Sequence, residues 1–248
     1  LMPALQKVYV SLTTLRFVGP SLDSLHNDLK NLKPIIQSET KDLIKFDKDI
    51  SLKNIHYNYP NAARTTLKNI NLTIPAYKTI GLVGATGSGK TTTVDIILGL
   101  LEAQKGTLEI DGKIIDKENR RAWQNSIGYV PQQIFLSDNT VSSNIAFGVK
   151  TKNINQEAVE HAAKIANLHE FVINELPSKY NTMIGERGVR LSGGQRQRIG
   201  IARALYHKPK VLVLDEATSA LDNLTEKEVI DAIYNSENNI TKILIAHR

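Results

Sequence analysis

Residues 81–94 read GLVGATGSGKTTTV, and the order of residue types in this stretch decides the fold. The run KTIGLVG, ending at Gly84, reads as a buried strand that feeds the glycine-rich loop. Lys90 to Leu101 then reads as a helix. Between them Gly84, Gly89, Lys90 and Thr91 satisfy the spacing G-x-x-x-x-G-K-[ST]. Glycines at these positions let the backbone curl until successive N–H groups face one anion, and the helix that follows adds its positive end. Strand, loop and helix in that order are the context such a phosphate grip demands. Lys90 is placed to reach the β- and γ-phosphates of a nucleotide and the Thr91 hydroxyl to ligate Mg²⁺, with Thr86, Gly87, Ser88 and Thr92 completing the cradle.

Two further aliphatic runs, VLVLDE at 211–216 and KILIAH at 242–247, read as central parallel strands. An Asp at the end of a buried strand can hold the hydration shell of Mg²⁺, which assigns Asp215. Glu216 follows directly, where a carboxylate can polarise an attacking water. Alone, this pair reads equally well as a cap for the next helix; beside a phosphate loop the catalytic reading prevails. Upstream, ISLKNIHYNY and LKNINLTI alternate apolar and polar residues as half-buried antiparallel strands do. Roughly Ile134 to Leu205 is mostly helical in pattern, with NQEAVEHAAKIA and HEFVINEL as its clearest segments. The expected fold class is α/β: a phosphate-loop core, an N-terminal antiparallel β subdomain and an inserted α-helical subdomain.

Residues 1–29 differ in character. Leu1, Val8, Leu15, Leu22 and Leu29 repeat every seven residues, with Leu5 and Leu12 between, and Gly19-Pro20 predicts a bend or restart. Core packing, a coiled coil and the tail of a membrane-domain helix all share this pattern. Residues 30–48 read as a linker.

Composition bounds the function. Among 248 residues, 41% are hydrophobic and 23% charged, ordinary values for a globular protein that buries a core. No cysteine is present, so disulfides and thiolate metal sites are excluded. The net charge of +6 is spread along the chain, with RQR at 196–198 and NRR at 119–121 the densest clusters. A phosphate-rich ligand, an acidic membrane surface and a solvated exterior all account for it. No window holds 18 uninterrupted apolar residues, and the N-terminus lacks signal-peptide features.

The stretch LSGGQRQR, 191–198, places Ser192, Gly194 and Gln195 at the start of a basic helical run, a second anion grip in one chain. Lying between the phosphate loop and LVLDEATSALD, it resembles the signature motif of ABC-transporter nucleotide-binding domains. Other motifs fall in that family's order. YNYP puts Tyr59 where the family stacks an aromatic ring on adenine. YVPQQIFL puts Gln132, or its neighbour Gln133, at a position that contacts Mg²⁺ and water and faces the membrane domain. SALD resembles the family loop ending in Asp222, and IAHR puts His247 at the switch-histidine position, directly before the chain ends. TMIGERGVRLSGGQ and LSDNTVSSNIAFG resemble segments of the exporter branch.

The resemblance covers residues 49–248. It implies ATP and Mg²⁺ as ligands, hydrolysis with Glu216, His247 and Gln132 as catalytic residues, and metal contacts from Thr91, Gln132 and Asp215. It further implies a head-to-tail pair of such domains, expected here to be a homodimer. In that pair Ser192, Gly194 and Gln195 of one chain close over ATP held by the other, and Asp222 couples the two sites. The partner of the pair is a membrane domain that binds the transported substrate, at the cytoplasmic face of a membrane. Residues 1–29 would be the end of a membrane-domain helix fused to this one, as in half-transporters. Lipid, lipid-linked glycan, peptide and drug exporters share these motifs. The rival readings are an ABC ATPase acting on nucleic acid or ribosomes, disfavoured by the MIGERG segment, and a nucleotide-binding interaction module.

Overall fold

The computed structural model describes residues 2–31, 44–60, 65–185, 189–215, 223–236 and 239–246. It falls into two units, residues 1–39 and residues 40–248.

In the first unit a single helix, α1, runs Met2–Asn31. It continues through Pro20, where a bend or restart is expected from the sequence. Proline removes one N–H from the hydrogen-bond ladder and crowds the preceding turn, but long helical segments on both sides keep the remaining ladder intact. Among the described residues no helix is long and apolar enough to cross a membrane.

The second unit is built on two sheets. The first is antiparallel, in the order β2-β1-β4-β5, from β1 (Asp49–Tyr57), β2 (Leu67–Pro75), β4 (Lys105–Ile110) and β5 (Lys113–Ile114). Both strands expected upstream of the phosphate loop are present and pair with each other. The Asp111 carboxylate accepts the N–H groups of Asp47, Lys48 and Asp49 at 2.8–3.0 Å, fixing where the chain enters β1. Phe46, in the stretch read as linker, is buried with its ring edge-on to Trp123 at 6.0 Å.

The second sheet is parallel, in the order β3-β10-β9-β6, from β3 (Thr79–Val83), β6 (Ile127–Val130), β9 (Val211–Asp215) and β10 (Thr241–Ala246). The two aliphatic runs are its inner strands, whereas β3, read from the sequence as buried, lies at the edge of the described sheet with Gly81 and Val83 exposed. Strand side chains alternate between faces, and β9 divides accordingly. Val211 and Val213 join the core formed with β1, β2 and α2 (Lys90–Ile97), while Leu212 and Leu214 join the core of the helical segment. One strand thus belongs to both hydrophobic cores, which is why every residue of it is buried.

Between β6 and β9 lies the helical segment: α4 (Val141–Ile145), α5 (Gln156–Ile165), α6 (His169–Glu175) and α7 (Gly193–Tyr206), with a two-stranded pairing of β7 (Asn139–Thr140) and β8 (Met183–Ile184). α5 buries Val159, Ala162 and Ala163, one stripe at helical spacing. α8 (Asn223–Ser236) follows β9 and sends Val229 and Ile233 into the same core.

α2 ends at Ile97, four residues short of the helix expected to Leu101. Gly99 takes φ +66°, its N–H bonds the Ile96 carbonyl, and the Leu100 N–H bonds the Asp95 carbonyl. That is a Schellman closure, which glycine allows without strain. The short helix α3 (Arg120–Gln124) is clamped on this end. The Trp123 indole N–H donates to the Ile97 carbonyl at 2.7 Å, Gln124 reaches the Leu98 and Gly99 carbonyls, and Arg120 pairs with Glu102 at 2.9 Å. Trp123 is fully buried, so its role is packing.

Candidate nucleotide site

β3 delivers the chain to Gly84, and the loop from Gly84 to Gly89 turns it into α2. Gly87 and Gly89 have φ +79° and +89°, the left-handed region, so the curl anticipated from the glycine spacing is present. Residues 85–88, including Thr86 and Ser88, are exposed, whereas Gly89 is buried. A Cβ on Gly89 would lie 2.7 Å from the Leu67 side chain. Lys90 folds back over the loop, its ammonium donating to the Gly84 and Ala85 carbonyls at 2.7 and 3.0 Å. A positive charge is thereby held in the mouth of the loop. Gly89, the N-cap of α2, offers no side-chain cap. The first-turn N–H groups, which no helix can satisfy internally, therefore have no capping side chain. Thr91 is exposed in this turn and Thr92 is buried.

Asp215 ends β9 and is buried. β6 lies beside β9 in parallel, with Tyr129 opposite Val213. Burial first, then the Asp215 and Asp95 charges and a hydrogen bond to Asp215, push the Tyr129 phenol up to about 12. Asp95, on α2, has its carboxyl raised above the ordinary range by burial and then by Asp215. Asp95 belongs to none of the motifs above and Tyr129 only opens the stretch that carries Gln132; the fold brings both to Asp215. The local excess of negative charge around Asp215, Asp95 and Tyr129 is of a kind that fits a hard divalent cation. Gln132 and Gln133 follow β6 and are exposed. Among the described residues no cluster of three His, Cys, Asp or Glu side chains forms a metal site by itself.

Tyr59 follows β1 and is 39% exposed. Its ring meets Tyr57 edge-on, centroids 5.1 Å apart at 89°, and its hydroxyl lies 3.2 Å from the Thr92 hydroxyl of α2. The aromatic assigned from sequence and the phosphate-loop helix are therefore in contact.

The signature stretch forms the start of α7. Ser192 is its N-cap: its Oγ accepts from the Gln195 N–H at 3.2 Å, and the Gln195 side-chain oxygen accepts from the Ser192 N–H at 2.7 Å. This reciprocal capping box uses two donors and leaves the Gly193 and Gly194 N–H groups without intrahelical partners. Farther along α7, Arg203 donates to the Asn144 carbonyl at 2.8 Å and lies over the Phe147 ring. Asn144 is fully buried and bonds Ser137, Asn139 and Thr140, which ties the signature helix to the segment that follows Gln132. Glu216, Asp222 and His247 lie outside the described residues.

The family model described as "ABC transporter" matches residues 67–219, more than half of the chain. Over 202 residues, 81% of this chain and 15% of the relative, it is 46% identical to Multidrug resistance protein 1 of Entamoeba histolytica. It is 41% identical over 200 residues to the ATP-dependent lipid A-core flippase of Escherichia coli K12, covering 81% of this chain and 34% of that protein. The chain thus spans about a third or less of these relatives. A solved bacterial Atm1-family ABC exporter with ATP bound superposes at a TM-score of 0.81 with 29% identity, over 95% of this chain and 41% of that one. With the glycine loop, the buried Asp215 and the self-capped signature helix in one chain, this chain belongs to the ABC transporter family.

Proposed function

We propose that this chain is the ATP-binding and ATP-hydrolysing domain of an ABC exporter. It works at the cytoplasmic face of a membrane, where a membrane domain carries the transported substrate. The observation that carries the reading is the contrast between two helix starts: α2, uncapped and holding Lys90 in the loop mouth, and α7, capped by its own Ser192 and Gln195. The first suits a complete phosphate grip. The second has only two N–H groups and a hydroxyl proton to offer, which suits closing over a phosphate already held elsewhere. In a head-to-tail pair of copies, Ser192, Gly194 and Gln195 meet the γ-phosphate bound at the partner's loop, and ATP joins the two. Tyr59 carries the adenine. Thr91, Asp215 and Gln132 would hold Mg²⁺, which would neutralise phosphate charge. Glu216 takes the proton of the attacking water, His247 holds the γ-phosphate, and Asp222 couples the two sites. Release of the pair after hydrolysis is the differential binding that drives a membrane domain between two states.

The names of the similar proteins, a multidrug resistance protein, a lipid A-core flippase and an ABC exporter, support this reading over action on nucleic acid. The test is the rate of ATP hydrolysis against protein concentration. A rate that rises more steeply than linearly supports the paired site; strict proportionality overturns it.

A further inference from the structure

Three neighbouring groups constrain Tyr59. The first is Tyr57, buried in the core of the β subdomain, whose ring abuts Tyr59 edge-on at 5.1 Å. The second is Gln104, in the turn before β4. Its side-chain amide bonds the backbone of Asn58 in both directions, accepting the N–H at 3.0 Å and donating to the carbonyl at 3.0 Å. Its own backbone N–H bonds the His56 carbonyl at 3.0 Å. A side-chain amide thus continues the β1–β4 ladder by one more rung, up to the residue before Tyr59. The third is Thr92, whose hydroxyl meets that of Tyr59 at 3.2 Å. An aromatic that is more than a third exposed and follows the end of its strand would otherwise sample several rotamers. Each of these contacts removes some of that freedom before a base arrives, so less entropy is lost on binding.

We propose that Tyr57 and Gln104 are positioning residues for recognition of the nucleotide base: with Thr92 they hold the Tyr59 ring as a fixed platform, registered to the phosphate-loop helix. The inference rests on the reading of Tyr59 as the surface that takes the base. It carries a signature that a merely structural role lacks. Loss of either residue weakens ligands that have a base and spares those that have only phosphates.

The test compares the affinity of the chain for ATP and for inorganic tripolyphosphate, both with Mg²⁺, by titration calorimetry. Tyr59→Ala is the reference and is expected to weaken ATP about tenfold, the typical worth of an aromatic–base stack. Gln104→Ala and Tyr57→Leu are expected to weaken ATP about threefold and to leave tripolyphosphate unchanged. Gln104→Glu, which keeps the acceptor and loses the donor, falls between Gln104→Ala and the parent. If Tyr59→Ala leaves ATP unaffected, the base reading fails and the inference with it. If Tyr59→Ala weakens ATP but Gln104→Ala and Tyr57→Leu do not, the inference alone is overturned. Equal weakening of both ligands by Gln104→Ala marks a structural effect and also overturns it. Should Tyr57→Leu not fold, the exposed Gln104 still decides the matter.

Discussion

The starts of α2 and α7 look alike in sequence, each a glycine-rich run with a hydroxyl residue leading into a helix, yet they solve the same problem in opposite ways. At α2 the N-cap is Gly89 in a left-handed conformation with no capping side chain, and a lysine ammonium is drawn over the loop. At α7 the N-cap Ser192 and the N3 residue Gln195 satisfy each other. An uncapped helix start costs stability, and a site that must surround a triphosphate accepts that cost. In the proposed pair, α7 only touches a ligand presented by another chain and so can keep its cap.

The largest effect expected separates gripping from hydrolysis and leaves both helix ends intact. Glu216→Gln should cut turnover by about a thousandfold while ATP-bound dimers accumulate in size-exclusion chromatography; unchanged hydrolysis would remove Glu216 as the base. Next, Lys90→Ala should lower hydrolysis by about 100-fold or more and abolish ATP binding to the monomer in calorimetry. Ser192→Ala should do the reverse of this last effect. Monomer ATP affinity stays put, hydrolysis at high protein concentration falls about tenfold, and the lost cap costs about 1 kcal/mol of folding stability. If Ser192→Ala weakened ATP binding to the monomer, the two helix starts would not divide the work as described.

The smallest effect concerns the carboxylate that the fold places near Asp215. The carboxyl of Asp95 is raised above its ordinary value by burial and then by Asp215, so the folded chain binds that proton more tightly than the unfolded chain does. Stability from this group therefore grows as pH falls through the folded-state value towards 3.8, and the ionised side chain is a net cost at neutral pH. Asp95→Asn should melt above the parent at neutral pH without Mg²⁺, and the gap should close as acid is added. A constant gap across that range would show that the charge is not its cause.

Much of this was legible in the sequence because short-range chemistry wrote it there. The glycine spacing from Gly84 to Gly89 anticipates the left-handed turns, and the unbroken aliphatic run 211–215 anticipates a strand shared by two cores. What was not legible depends on long-range approach. Gln104 meets Asn58 only because β4 pairs with β1, and Asp95 meets Asp215 only because α2 packs on the sheet. Phe46 reads as linker for the same reason: its partner, Trp123, is far along the chain. The α2 terminus was overrun because LGLL reads as apolar helix, whereas Gly99 closes the ladder there.

Trp123 has an optical consequence. It is the single tryptophan of the chain, has no solvent exposure, and its indole N–H is fixed on the carbonyl that closes the phosphate-loop helix. Its emission should therefore be that of a dry, hydrogen-bonded indole. Any shift of the tail of α2 that stretches this 2.7 Å bond will register as a change in wavelength or intensity. The protein carries its own reporter on the far end of the element that grips phosphate, readable in real time without a label.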